Sequence, residues 1–130
     1  MASPSIVFLV DRSLGKKYVV EALRAAGANA EALDDHFPQN ASDAEWLRTA
    51  GERGWTVLSK DLRMSRDAYE RRLIIETGVR AFLLTRQDLP GSEMAALFAS
   101  ALPGMLRRIA RTPAPFVYSV SRTGQFKNVL

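Results

Sequence analysis

The hydrophobic pattern alternates between short apolar runs and longer stretches with apolar residues at helical spacing. Continuous apolar runs of a few residues are typical of strands buried in a parallel sheet. Apolar residues three and four positions apart are typical of helices that cover such a sheet. This pattern predicts strands over residues 5–10, 28–33, 55–59 and 79–84. It predicts helices over residues 15–26, from 42 to about 54, over 67–77, and from 90 to about 102.

Local residue types mark several ends of these elements. Ser42 and Glu45 are spaced as in a capping box at a helix start. Pro103 and the glycine after it are expected to interrupt the last helix, with a short continuation to residue 111. Apolar stretches at residues 116–120 and 125–129 flank a turn and predict a terminal hairpin.

The alternation of strands and helices predicts an α/β fold. Helices between parallel strands form crossovers, so we expect a doubly wound, mainly parallel sheet with helices on both faces and a C-terminal β-hairpin. The length of 130 residues fits a single domain over residues 1–130. Ligands of such folds bind at the carboxyl ends of the strands, near a topological switch point.

The charges are divided unevenly along the chain, although the net charge is only +4. Residues 25–47 hold five acids and no Lys or Arg. Residues 94–130 hold no acid but five bases, namely Arg107, Arg108, Arg111, Arg122 and Lys127. A basic excess of this kind indicates a polyanionic partner, such as RNA or an acidic protein segment.

The composition excludes several kinds of chemistry. There are no cysteines, which excludes disulfides, thiolate metal sites and a cysteine nucleophile. The single histidine, His36, excludes His-rich zinc sites. The apolar run at residues 6–10 is too short for a signal peptide or a membrane span, so we expect a cytoplasmic protein without membrane contact.

Acidic side chains follow the predicted strands at the same edge of the sheet. Asp11 follows the first strand, Asp34 and Asp35 the second, and Asp61 the third, while Asp43 opens a helix from this edge. Carboxylates that converge repel each other unless a cation lies between them. Mg²⁺ prefers such oxygen ligands, and an ion held this way promotes phosphodiester hydrolysis by water.

Four bases lie close in sequence to these acids. Their positive charge could neutralise the phosphates of a bound RNA. They are Arg12, Lys16, Lys60 and Arg63.

Other interpretations of the same residues stay open. Asp is common in turns because its side chain bonds nearby backbone amides. Asp61 and Thr85 also occupy positions expected in a phosphoacceptor receiver domain, but Asp11 lacks the neighbouring acid that such domains carry. A third alternative is a non-catalytic module whose basic C-terminal third binds RNA or protein by charge alone.

Four segments follow one another along the first half of the chain, namely Asp11-Arg-Ser-Leu-Gly-Lys16, Asp34-Asp-His-Phe-Pro38, Asp43-Ala-Glu-Trp-Leu47 and Gly54-Trp-Thr-Val-Leu-Ser-Lys-Asp61. In this order and spacing they resemble PIN-like ribonuclease domains of the VapC toxin type. The similarity runs nearly end to end.

The resemblance implies an endoribonuclease that depends on Mg²⁺ or Mn²⁺ and a toxin neutralised by a cognate antitoxin. Relatives commonly form homodimers, but the sequence leaves the oligomeric state of this protein open. By position, Asp11, Asp43 and Asp61 correspond to the metal-binding acids, and Asp35 is a secondary candidate. Many members of the wider group have a second acid two residues after the one that matches Asp61. This chain has Arg63 there, which could contact the substrate instead.

Overall fold

The computed structural model describes residues 6–130, and the start of the first predicted strand, residue 5, lies outside them. One six-stranded sheet has the order β2-β1-β3-β4-β5-β6. The first five strands pair in parallel and β6 is antiparallel to β5, which confirms the predicted sheet and its terminal hairpin. The strands are β1 (Val7–Val10), β2 (Asn29–Ala32), β3 (Thr56–Ser59), β4 (Arg80–Leu84), β5 (Phe116–Val120) and β6 (Phe126–Asn128).

Five α-helices connect or flank the strands. Two short 3₁₀ turns, Arg12–Leu14 and Leu33–Asp35, follow β1 and β2 directly. The α-helices are α1 (Tyr18–Ala25), α2 (Asp43–Arg53), α3 (Arg63–Arg66), α4 (Ala68–Thr77) and α5 (Gly91–Arg111). Ser42 caps α2 by accepting a hydrogen bond from the Glu45 amide at 3.2 Å, as its position in the sequence predicts.

Helices cover both faces of the sheet, in agreement with the doubly wound prediction. Strand side chains alternate between two buried clusters because successive residues of a strand point to opposite faces. Phe8 and Val10 of β1 pack in the cluster of α1 and α5, which includes Leu23 and Phe98. Leu9 packs in the opposite cluster, with the residues of α2 and α4.

The predicted interruption of the last helix is wrong, because α5 continues through Pro103 to Arg111. A proline inside a helix costs about 3 kcal/mol through its missing N–H and its steric clash. Pro103 lies on the exposed side of α5, whereas Phe98, Leu102 and Met105 are buried on either side of it. Burial of each such side chain contributes about 1.5–3 kcal/mol, which outweighs the cost of the proline.

The short helix α3 has no counterpart among the predicted elements. It begins two residues after Asp61 and ends at Arg66. The next residue, Asp67, caps α4 by accepting a hydrogen bond from the Glu70 amide at 3.0 Å. Four residues are too few for a hydrophobic period, so the pattern does not reveal such a helix. Its first residue, Arg63, is thereby placed against Asp61.

The strand order creates a switch point beside β1. The chain passes from β1 to β2 on one side, and then crosses to β3 on the other side. In doubly wound sheets a crevice opens at such a point, outside the carboxyl ends of the strands. Asp11 and Asp61 follow β1 and β3 at this edge.

Within residues 6–130, no helix is both long enough and apolar enough to cross a membrane.

Candidate active site

Asp11 is held rigidly at the end of β1 by three donors. Its Oδ1 accepts from the Arg12 amide at 2.8 Å. Its Oδ2 accepts from the hydroxyls of Ser13 at 2.9 Å and Ser59 at 2.8 Å. Ser59 Oγ also accepts from the Asp61 amide at 3.0 Å, so one buried hydroxyl connects the ends of β1 and β3.

Asp61 is bound by Arg63, two residues later. Its Oδ1 accepts from the Arg63 amide at 3.1 Å and from Nε at 3.0 Å, and its Oδ2 accepts from Nη2 at 2.6 Å. These hydrogen bonds hold the pKa of Asp61 below its ordinary value, against the opposing effect of partial burial. Asp61 is therefore an anion that is paired with the guanidinium of Arg63 in this structure.

Asp43 lies at the first turn of α2 and faces the same guanidinium. Its Oδ1 accepts from the indole N–H of the buried Trp46 at 3.1 Å. Its Oδ2 lies 3.9 Å from Arg63 Nη2. Asp43 and Asp61, which come from different elements, thus share one cation.

Glu70 adds a further carboxyl group that the sequence analysis missed. Its side chain is buried, with 5% of its surface exposed, and it hydrogen-bonds to the Asp43 carboxylate. Burial, the hydrogen bond to Asp43 and the charge of Asp43 raise the pKa of Glu70 to about 8. At neutral pH the Glu70 carboxyl is therefore mostly protonated, and it donates a hydrogen bond to the Asp43 carboxylate.

This arrangement predicts a specific pH dependence of stability without divalent ions. The folded pKa of Glu70 lies above its ordinary value of 4.5, so its contribution to stability is complete below pH 4.5 and is lost as the pH rises through 8. Glu70→Gln removes this titration. Wild type is expected to lose stability between pH 5.5 and 8.5, and Glu70→Gln is not. The free energy of unfolding of the variant minus that of wild type is therefore expected to increase by about 2 kcal/mol between these two pH values.

Urea unfolding in EDTA at the two pH values measures this gain. Glu76→Gln is the matched control, because Glu76 is exposed on the same helix. An equal stability difference between wild type and Glu70→Gln at both pH values would contradict the prediction.

The predicted ligands do not converge as a complete metal-binding group in this conformation. Across residues 6–130, no three Asp, Glu or His side chains lie close enough together to hold an ion jointly. Arg63 lies where Asp43 and Asp61 approach each other. The donor types nevertheless fit a hard cation, because the site presents carboxylates that already share a positive charge.

Most of the bases near the site are engaged with the protein itself. Arg12 pairs with Asp34 through Nε and donates to the Pro38 carbonyl at 2.8 Å. Lys60 Nζ donates to the Gln87 carbonyl at 3.0 Å. Lys16 is exposed and has no hydrogen bond or ion pair among the described residues.

The remaining candidates lie away from the shared cation. Asp35 is exposed in the turn after β2, and its side chain has no hydrogen bond or ion pair within residues 6–130. Thr85, a key position for the receiver alternative, makes backbone and hydroxyl hydrogen bonds to the Val120 carbonyl. Thr85 thus connects β4 to β5.

The residues that sequence reasoning missed are those that orient the acids. Glu70 could have been found, since it precedes Leu73 and Ile74 at helical spacing and so lies on the buried stripe of α4. A Glu on a buried stripe is unusual unless it has a partner. Ser13 and Ser59 carry no comparable signal, because their partner Asp11 is identified only by the folded geometry.

A second concave surface lies at the far end of α5. The arginines Arg107, Arg108 and Arg111 line it with Thr112 and Tyr118. None of these arginines has an ion-pair partner within residues 6–130. Since α5 runs from the carboxyl end of β4 to the amino end of β5, this surface lies toward the opposite end of the sheet from the acids.

Comparison with known proteins identifies the family. The family model described as "PIN like domain" matches residues 6–86, which include Asp11, Asp43 and Asp61. The chain belongs to the PIN-like domain family. It is also 37% identical over 115 residues to a protein of Mycobacterium tuberculosis (strain ATCC 25618 / H37Rv) named "Putative ribonuclease VapC45". That alignment covers 85% of this chain and 83% of the relative. No solved structure matches the chain.

Membership of the PIN-like family confirms the resemblance seen in the four sequence segments. It also decides against the receiver alternative. The matched region contains β1 to β4 and α1 to α4, which surround the candidate acids, whereas the arginine surface at the end of α5 lies outside it.

Proposed function

We propose that this PIN-like protein is an endoribonuclease toxin that hydrolyses RNA with the help of Mg²⁺ or Mn²⁺. The observation that carries the proposal is the pair Asp43 and Asp61, which share one cation at the switch point of the sheet. The relative named as a ribonuclease supports the substrate class.

In this proposal Asp11, Asp43 and Asp61 hold the ion, and Glu70 orients Asp43. Bound by these residues, a divalent ion would provide activation of a water and charge stabilisation at the leaving oxygen of the phosphodiester. Ser13 and Ser59 hold one oxygen of Asp11 in place. Trp46 does the same for Asp43, so that Oδ2 stays directed at the shared cation.

We further propose that RNA reaches this edge along the bases around it. Lys16 is exposed and supplies positive charge to the phosphate backbone. Arg12 and Lys60 act chiefly by shaping the neighbouring loops, since their charged groups bind Asp34 and the Gln87 carbonyl. Arg63 is the remaining base, and its role is treated below.

Metal removal tests the proposal directly. The purified protein is expected to cleave RNA in Mg²⁺ or Mn²⁺, to lose all cleavage in excess EDTA, and to regain it when the ion is restored. Full cleavage in EDTA would contradict the proposed chemistry. RNA binding without cleavage under every condition would favour the non-catalytic binding module.

We also propose that a cognate antitoxin neutralises the enzyme and that its acidic segment binds the arginine surface at the end of α5. The charge of this surface has no internal counterpart, because residues 94–130 hold no acid. Arg108 is held in place by the Gly104 carbonyl at 3.2 Å and by the ring of Phe126, 4.0 Å from its guanidinium. In the cleavage assay, a purified antitoxin is expected to suppress activity in wild type and to lose this effect when Arg107, Arg108 and Arg111 are replaced by Gln.

A further inference from the structure

Arg63 occupies the position in which a cation is shared by the two acids. Its guanidinium forms hydrogen bonds to both oxygens of Asp61 and lies 3.9 Å from Asp43. A two-pronged arginine–carboxylate contact of this kind is directional and charge-assisted. Since a divalent ion needs the same oxygens, Arg63 and the ion compete for them.

We propose that Arg63 is an internal counter-ion that a divalent ion must displace, and that the displaced side chain then binds a phosphate of the RNA. The inference rests on the proposed function. It assigns Arg63 as a substrate-binding residue that pairs with Asp61 in the free enzyme and with the RNA in the loaded enzyme.

The exposure of Arg63 makes such an exchange feasible. Its side chain is 64% exposed, so no core packing holds it beside Asp61. Exposed ion pairs contribute little to stability, since water solvates both partners when they separate. Because a guanidinium fork matches phosphate as well as carboxylate, the released side chain has a natural second partner.

The same competition accounts for the incomplete convergence of the acids. Asp61 uses both of its oxygens to bind Arg63, and no three acids within residues 6–130 lie close enough together to hold an ion jointly. Displacement of the guanidinium frees these oxygens for an ion. A basic residue two positions after Asp61 thus lowers the affinity for metal until an anionic substrate offers Arg63 another partner.

Calorimetric titration of Mn²⁺ into the whole protein without RNA tests the competition. Arg63→Gln is expected to bind Mn²⁺ about tenfold more tightly than wild type, as removal of one charge near a divalent ion predicts. Arg66→Gln is the matched control, because Arg66 is exposed on the same short helix and makes no ion pair within residues 6–130. Arg63→Lys keeps the positive charge but loses the forked guanidinium, so its affinity for Mn²⁺ is expected to lie between those of wild type and Arg63→Gln.

A second titration tests the exchange of partners. RNA binding is measured with and without Ca²⁺ for wild type and Arg63→Gln, with a phosphorothioate RNA that resists hydrolysis, so that all three acids stay in place. The ion is expected to strengthen RNA binding several-fold more in the protein with Arg63 than in the protein without it. An equal effect of Ca²⁺ in both proteins would overturn the exchange.

The competition is overturned if Arg63→Gln binds Mn²⁺ no more tightly than Arg66→Gln. In that case, RNA cleavage that still depends on metal would leave the proposed function intact. Failure of every variant to bind Mn²⁺, together with cleavage in EDTA, would overturn both. Thermal unfolding of each variant confirms that the comparison is made on folded protein.

Discussion

Replacing Asp11 with Asn is expected to lower the rate of RNA cleavage by about a hundredfold or more while the protein stays folded. Asp11 lies at the carboxyl end of β1, with one oxygen held by Ser13 and Ser59. The substitution keeps the size of the side chain but removes its negative charge. A neutral amide binds a divalent ion far less well than a carboxylate does. The variant is therefore expected to lose cleavage because it binds the metal ion weakly.

Two comparisons make this result specific to the site. Glu52→Gln removes one negative charge from the exposed far end of α2 and is expected to cleave RNA at the wild-type rate. Thermal unfolding is expected to change by only a few degrees in Asp11→Asn, because its neighbours can still form hydrogen bonds. Cleavage by Asp11→Asn at the wild-type rate would exclude Asp11 from the catalytic group.

Replacing Gly51 with Ala is expected to destabilise the protein by about 3 kcal/mol or more. A Cβ atom at Gly51 would lie 1.9 Å from the backbone carbonyl oxygen of Thr77, so α2 and α4 would have to separate. The gain in helix propensity from Gly to Ala, about 1 kcal/mol, is too small to compensate. Urea unfolding measures the loss.

Gly104→Ala provides the matched comparison on another helix. There the new Cβ would approach a ring carbon of Phe126 at 2.7 Å, and a side chain can move more easily than a backbone. We therefore expect a smaller loss of stability than in Gly51→Ala. Wild-type stability of Gly51→Ala would show that α2 and α4 are not packed as closely as the structure indicates. Since α2 carries Asp43 and α4 carries Glu70, their separation should also lower RNA cleavage.

The order of strands and helices could be predicted because each element leaves a local signal. Buried parallel strands form continuous apolar runs, and Ser42 marks the start of α2 by its capping chemistry. Asp11 and Asp61 could be placed at one edge because the carboxyl ends of parallel strands lie together. The continuation of α5 through Pro103 could not be predicted from the sequence, because it depends on how the residues around the proline pack against the core.

The interactions within the site could not be predicted from the sequence, for a different reason. The resemblance to PIN-like domains pointed to Asp11, Asp43 and Asp61, but it left the role of Arg63 open. Only the geometry shows that Arg63 bridges two acids and that Glu70 lies buried against Asp43. The contacts of Arg63 and of Glu70 with Asp43 join residues that are distant in sequence. They lie on helices whose relative positions no local sequence pattern encodes.

The most direct test of the central claim is cleavage of a circular RNA by the wild-type protein, with and without Mg²⁺. A circle has no ends, so only an endonuclease can open it. The account predicts that the circle becomes linear in Mg²⁺, stays closed in excess EDTA, and opens again when Mg²⁺ is restored. A circle that stays intact in Mg²⁺ and Mn²⁺, or one that opens equally fast in EDTA, would contradict it.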